Sequence, residues 1–246
     1  MSYYRRAEGD LFGNPLGRSF PPAVKGLLIA NGVVFLLEHG AIGRWLVPVC
    51  WFSPEQAVLR LWVWQFVTYM FLHLNVGHVL LNMFTLWMFG RRLEQRWGTY
   101  EFLRFYLVCG VGAALVHTLA TPLGLSFGQP VQVMLGASGA VYGVLLAYAR
   151  YWAEDVVYVN FIFPVKIKYM VVFLGVVDFL GSIGELTGRE TSSVAHFAHL
   201  GGLLTAWIYL RYAGRIRLGR LLRPRKRPAR QVRAPRRPFF DEDTWR

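Results

Sequence analysis

Six apolar runs, each long enough to be helical and each set off by polar or charged connections, constrain this chain more than any other feature. They fall at about residues 23–37, 76–90, 102–123, 137–151, 169–183 and 195–212. Their length and their lack of period-two alternation indicate helices rather than strands. The 246 residues are 54% hydrophobic and only 17% charged, against about 25% charged in a typical soluble domain. That balance excludes a disordered or collagen-like chain and points to an all-α membrane protein. Cys50 and Cys109 are the two cysteines, too few for a disulfide framework or a zinc cluster. Cys109 reads as a small core residue and Cys50 as part of an aromatic loop, with nothing to pair them.

The charges fix an orientation. Basic residues precede the first run, follow the second (Arg91, Arg92, Arg96), lie between the fourth and fifth (Arg150, Lys166, Lys168) and follow the sixth. The connection between the third and fourth runs carries no charge, and that between the fifth and sixth holds Arg189 alone among basic residues. Six spans with both termini cytoplasmic satisfy this alternation, because Lys and Arg accumulate on the cytoplasmic side. Residues 40–74 do not read as a span. They hold Trp45, Trp51, Trp62 and Trp64 among scattered charges, and Trp favours the headgroup level, so a long interfacial first loop is expected. Residues 1–20 read as a short cytoplasmic segment without a cleavable leader, 21–214 as the membrane domain, and 215–246 as a basic tail.

Of the net charge of +13, +10 falls in residues 211–246. Pro224, Pro228, Pro235 and Pro238 interrupt that stretch and prevent a regular basic helix. Tethered to a span, it is expected to meet anionic lipid headgroups, at about 1 kcal/mol per basic residue, rather than nucleic acid.

Three motifs could carry chemistry. In Gly136-Ala137-Ser138-Gly139 the hydroxyl is flanked by small residues at a helix N-terminus, where free N–H groups favour a developing anion. Small residues also serve close packing in membrane helices. In Ala198-His199-Leu200-Gly201-Gly202, residues His199, Gly202 and Ala206 share a face; Ser138 and Tyr142 share another. If those faces pack, His199 meets Ser138. His78 and Asn82, at i and i+4, can donate toward one point or act as polar glue between helices. Together they supply a nucleophile, a base and oxyanion donors, the minimum for acyl transfer. No Glu follows His73 or His78, so the HExxH metal pattern is absent; neither metal nor cofactor is expected. Asp178, in the fifth run, reads as a group paired inside the bundle or near its outer end, and His117 as a structural polar contact.

Gly136-Ala137-Ser138-Gly139 with Tyr142, His73 and His78-Val79-Leu80-Leu81-Asn82, and Ala198-His199 with Gly202 closely resemble the rhomboid intramembrane serine proteases, in particular bacterial members. The likeness extends over residues 20–214, including Gly90-Arg91-Arg92 and Glu94-Gln95-Arg96-Trp97-Gly98 after the second run. The resemblance implies a six-helix bundle in which Ser138 is the nucleophile and His199 its base. It implies an oxyanion hole of His78, Asn82 and the Ser138 N–H, with Tyr142 stacked on His199. Gly136, Gly139 and Gly202 support the site. It supplies no Asp, so packing and Tyr142 are expected to orient His199. Substrates would be single-span membrane proteins cut within or near the outer half of the bilayer, and the location a bacterial inner membrane. The alternative is a non-catalytic rhomboid-like protein that binds transmembrane clients; possession of both Ser138 and His199 argues against it. A channel or transporter is disfavoured, since no paired interrupted helices stand in two matching halves. Two departures stand out. Gln65 follows Trp64 where many members carry Arg, and Ala206 stands where Gly is common. His196 is a second histidine near the same helix end; His199 is preferred for its small i+3 and i+7 partners.

Overall fold

The computed structural model describes residues 20–126, 132–159, 162–187 and 196–221. The N-terminal segment before Phe20 and the tail beyond Leu221 lie outside them, as do Arg189 and part of the uncharged connection ahead of Met134. Packing divides the chain after Arg211, and every residue of the candidate site belongs to the first unit.

Pro21 and Pro22 open α1 (Pro22–Glu38); proline suits the first helical turn because its missing N–H has no partner there anyway. The remaining orphan donors find an acceptor far along the chain. Glu94 accepts from Ala23 N–H at 2.9 Å and Val24 N–H at 2.8 Å, and from the Thr99 hydroxyl at 2.8 Å. A buried carboxylate thus caps α1 and ties it to α5 (Arg91–Trp97) and the start of α6 (Thr99–Ser126). Glu94→Gln would face one of these donors with an NH2 group. Thermal unfolding in detergent should then show a loss of about 2 kcal/mol, the cost of leaving a buried donor unmet.

After α1 the aromatic stretch forms short helical pieces, α2 (Gly43–Cys50), a π-turn at Glu55–Leu59, and α3 (Gln65–Thr68) leading into a single 3-10 turn at Tyr69–Phe71. Gln65 is fully buried at its centre. Its Oε1 accepts from Ser53 N–H at 3.1 Å, and its Nε2 donates to Gln56 Oε1 at 2.8 Å and to Val49 O at 3.4 Å. The neutral amide thus knots the loop with both a donor and an acceptor. Trp64 Nε1 and the Thr68 hydroxyl donate to Val49 O and Cys50 O.

The second run is α4 (Val76–Thr85) continued by a π-turn at Leu86–Gly90 into α5. Asn75 caps α4 by accepting from His78 N–H at 2.9 Å, as N-cap side chains do. Next come α6, α7 (Ser138–Tyr151), α8 (Ile167–Leu186) and α9 (His196–Leu221). Between α7 and α8 the chain departs from the all-α expectation. β1 (Val156–Val159) pairs antiparallel with β2 (Phe163–Lys166), Val156 opposite Lys166. The β-branched run of Val156, Val157 and Val159 suits an extended strand, but four residues are too few to show alternation. Beside the hairpin Arg92 bridges Asp155 at 2.5 Å and donates to the Tyr148 hydroxyl at 3.0 Å. Lys166 and Lys168 hold the exposed Glu154 carboxyl down to about 2.

Among the described helices, Thr99–Pro122 and Ile167–Leu186 are long and apolar enough to cross a membrane. Two of the other expected spans are shorter, α1 having 17 residues and α7 14, where a hydrocarbon core takes about 20. The bundle leaves large apolar side chains outside, among them Val172, Phe173, Phe179 and Leu180 on α8, as a lipid-facing surface does.

Candidate active site

The backbone reaches Ser138 through a segment pinned by the first loop. Phe52 and Met134 exchange N–H···O bonds of 2.9 and 2.8 Å, and Gly136 N–H donates to Tyr69 O at 2.9 Å. The Tyr69 hydroxyl in turn donates to Gly110 O on α6 at 2.8 Å. Gly136 takes φ +122°, a region that L side chains rarely adopt. A Cβ there would stand 2.7 Å from His78 Cε1 and 2.8 Å from Nε2. Glycine is therefore required both for the turn and for the imidazole of His78 that lies over it. The next turn starts α7 with Ser138, whose side chain is partly exposed. Its N–H belongs to the first helical turn, where backbone donors lack intrahelical acceptors.

The opposing helix, α9, brings His199. Gly202, one turn further on, lies against α7 so closely that a Cβ there would run into the carbonyl oxygen of Gly139 and stand 2.8 Å from its carbonyl carbon. Gly139 is as tightly placed on its other side, where a Cβ would lie 2.6 Å from that of Ala113 on α6. Ala206, fully buried, sits opposite Gly143, whose own Cβ position is 3.4 Å from the Ala206 methyl. The missing side chain at Gly143 makes room for Cys109 on α6, whose Sγ would stand 2.6 Å from a Cβ there. With the two backbones in contact, His199 Nε2 and Ser138 Oγ are 2.7 Å apart. The Tyr142 ring lies parallel to the imidazole, with centroids 4.3 Å apart and planes 13° apart.

The other imidazole nitrogen overturns an expectation. His199 was expected to lack a carboxylate partner, yet its Nδ1 lies 2.8 Å from Asp178 Oδ1 on α8. His196 Nδ1 reaches the same oxygen at 2.9 Å. The side chains of Asp178, His196 and His199 keep 4%, 9% and 12% of their exposure, so bulk water contributes little to their solvation. The sequence marked Asp178 as a paired polar group but did not name its partners, which lie on a different helix. The three donor atoms are within 4.8 Å of one another, close enough for metal ligands. Hydrogen bonds between them already account for that convergence.

His78 and Asn82 share α4 but differ in what they meet. His78 packs on Gly136 beside Ser138, with its ring edge-on to His73 at 5.0 Å. His73 receives a long bond of 3.5 Å from Ala137 N–H, and its own N–H donates to Glu38. The Asn82 amide donates to His78 O at 3.0 Å; one of its two N–H groups is thus spent within α4. His117 contacts Gln132 O at 3.1 Å, in the segment leading to Met134. Cys50 and Cys109 are both free thiols.

A family model described as Rhomboid domain matches residues 60–216. The chain is 31% identical to RHOMBOID-like protein 1 of Arabidopsis thaliana, over 78% of this chain and 43% of that protein. It is 33% identical to Rhomboid-like protein 11, chloroplastic, of the same plant, over 57% of this chain and 49% of that one. It is 28% identical to Rhomboid protein 1, mitochondrial, of Saccharomyces cerevisiae, over 82% and 59%. The chain spans about half the length of the curated relatives it matches. These plant and yeast relatives lend no support to the expected bacterial inner membrane.

Proposed function

The chain belongs to the rhomboid family of integral membrane proteins, and on that premise we propose that it is an intramembrane serine endopeptidase that cuts single-span membrane proteins. The observation that carries this reading is the 2.7 Å contact between Ser138 Oγ and His199 Nε2. As the hydroxyl oxygen attacks the scissile carbonyl carbon, its proton passes to His199 Nε2. The tetrahedral oxyanion forms beside the Ser138 N–H and the His78 imidazole, with the free N–H of the Asn82 amide as a further donor. Preorganised donors of this kind usually supply the largest single share of the rate. His199 then protonates the leaving amine, and water releases the acyl group by the same route in reverse.

Six spans with both termini cytoplasmic, and the aromatic stretch 40–74 at the membrane interface, belong to the same proposal. They place Ser138 in the outer half of the bilayer, at the end of α7 away from the Arg92–Asp155 pair. The alternative, a member that only binds transmembrane clients, gives no reason for a nucleophile and base to be held at hydrogen-bond distance.

Labelling with a fluorophosphonate probe separates the two. The wild-type protein should become covalently modified at Ser138, and Ser138→Ala and His199→Ala should both stay unlabelled while retaining wild-type elution on gel filtration. A wild type that resists the probe at every concentration favours the client-binding reading.

A further inference from the structure

We propose that Asp178 is a positioning residue for the reaction, holding His199 in the one tautomer and orientation that makes it a base toward Ser138. This rests on the protease reading above and adds a third member to its machinery.

The argument begins with the cost of the carboxylate. α8 presents apolar side chains outward, and a carboxylate inside a membrane bundle is tolerated only when it is bonded. Asp178 is bonded twice at one oxygen, by His196 at 2.9 Å and His199 at 2.8 Å. An ionised carboxylate oxygen only accepts hydrogen bonds. Both Nδ1 atoms therefore carry their protons. For His199 this has a chemical consequence, because a neutral imidazole holds one proton. With Nδ1 protonated, Nε2 keeps its lone pair, and Nε2 is the atom 2.7 Å from Ser138 Oγ.

The remaining freedom of the ring is removed by its neighbours. Tyr142 lies flat on one face and fixes the plane; Asp178 fixes rotation within that plane. Asp178 is itself held by the second histidine. The ring of His196 lies directly against Gly181, where a Cβ would stand 2.6 Å from Cε1 and Nε2. His196 is thereby seated on α8 one turn beyond Asp178, and its N–H opposes rotation of the carboxylate away from His199. When His199 takes the serine proton, the negative oxygen stabilises the resulting imidazolium.

The test compares Asp178→Asn and Asp178→Glu with wild type in liposomes, using a purified single-span substrate, with Ser138→Ala as the reference. Asp178→Asn should lower kcat at least about tenfold and leave KM within about twofold, the signature of an interaction made in the transition state. Asp178→Glu keeps the carboxylate and should retain more kcat than Asp178→Asn. A kcat for Asp178→Asn within about twofold of wild type overturns the proposal. So does an equal loss in both variants, or a loss confined to KM. Folding failure of the variants leaves a second measurement on the unaltered protein. In 15N-histidine-labelled wild type, with the His199 signals assigned by their disappearance in His199→Ala, the neutral ring should be protonated at Nδ1. Protonation at Nε2 overturns the proposal. Cleavage by Ser138→Ala at a rate close to wild type defeats the protease reading itself, and this inference with it. Silence of Ser138→Ala with full activity of Asp178→Asn defeats the inference alone.

Discussion

On the proposed mechanism, replacing Ser138 by Ala, or His199 by Ala, should lower kcat for a transmembrane substrate by about 10³-fold or more, and replacing both should lower it no further than either alone. The expectation follows from how the two groups act. Without the imidazole, the serine hydroxyl at neutral pH is a poor nucleophile, and without the hydroxyl the imidazole has no proton to take. Groups that act as a unit are grossly non-additive. Two independent contributions would multiply, so a double variant slower than both singles by another large factor contradicts the pairing. Ser138→Ala removes only a hydroxyl from a partly buried side chain, so its unfolding temperature in detergent should stay close to wild type, which separates loss of chemistry from loss of fold. His199→Ala takes one hydrogen-bond donor from the buried Asp178 and should unfold earlier. Residual activity would come from donors that remain beside the substrate carbonyl, chiefly His78 and the backbone N–H groups at the start of α7.

The second large effect is steric and lies a turn away from the chemistry. Gly202→Leu places a branched side chain where the Gly139 carbonyl already sits. Backbone cannot retreat as the end of a flexible side chain can, so α9 must move outward. A displacement of about 1 Å is enough to cost about 10²-fold in rate, and overpacking of this kind costs about 1–3 kcal/mol in stability. Gly202→Leu should therefore lose nearly all cleavage and also unfold earlier, a combination that Ser138→Ala does not produce. Gly32→Ala on α1 is the control. No atom lies within 4 Å of its Cβ position, so activity should be unchanged. A Gly202→Leu enzyme with wild-type turnover would show that backbone contact between α7 and α9 is dispensable for alignment.

How much of this was legible in the sequence depends on what each feature requires. The helices were, because apolar runs of helical length leave a trace in every residue; α4 with its π-turn covers Val76–Gly90, and α7 and α9 begin within a residue of the runs that marked them. The proximity of Ser138 and His199 is legible in small residues at helical spacing, a pattern that reports on close backbones wherever they occur. Asp178 was legible only as an anomaly. A lone carboxylate in an apolar run announces that it has partners, but theirs is a tertiary relation across a connection of residues, and no spacing rule names them. The β1–β2 hairpin escaped because each strand has four residues, too short for alternation to be seen. Gln65 escaped for the opposite reason. Beside the Arg common at that place it looks like a missing charge, whereas its role depends on an amide having both a donor and an acceptor, which three backbone and side-chain partners at Ser53, Val49 and Gln56 use.

The meeting of Gly139 and Gly202 carries a consequence for how such a protein can change. The joint that sets the distance between Ser138 and His199 contains no side chain, so nothing in it can be tuned, ionised or screened by salt. The ion pair of Arg92 and Asp155 at the far end of α7 weakens as salt rises; the joint does not. On the protease reading, preference for one target over another would then be written in surfaces remote from that contact, free to diverge while the spacing of Ser138 and His199 is kept.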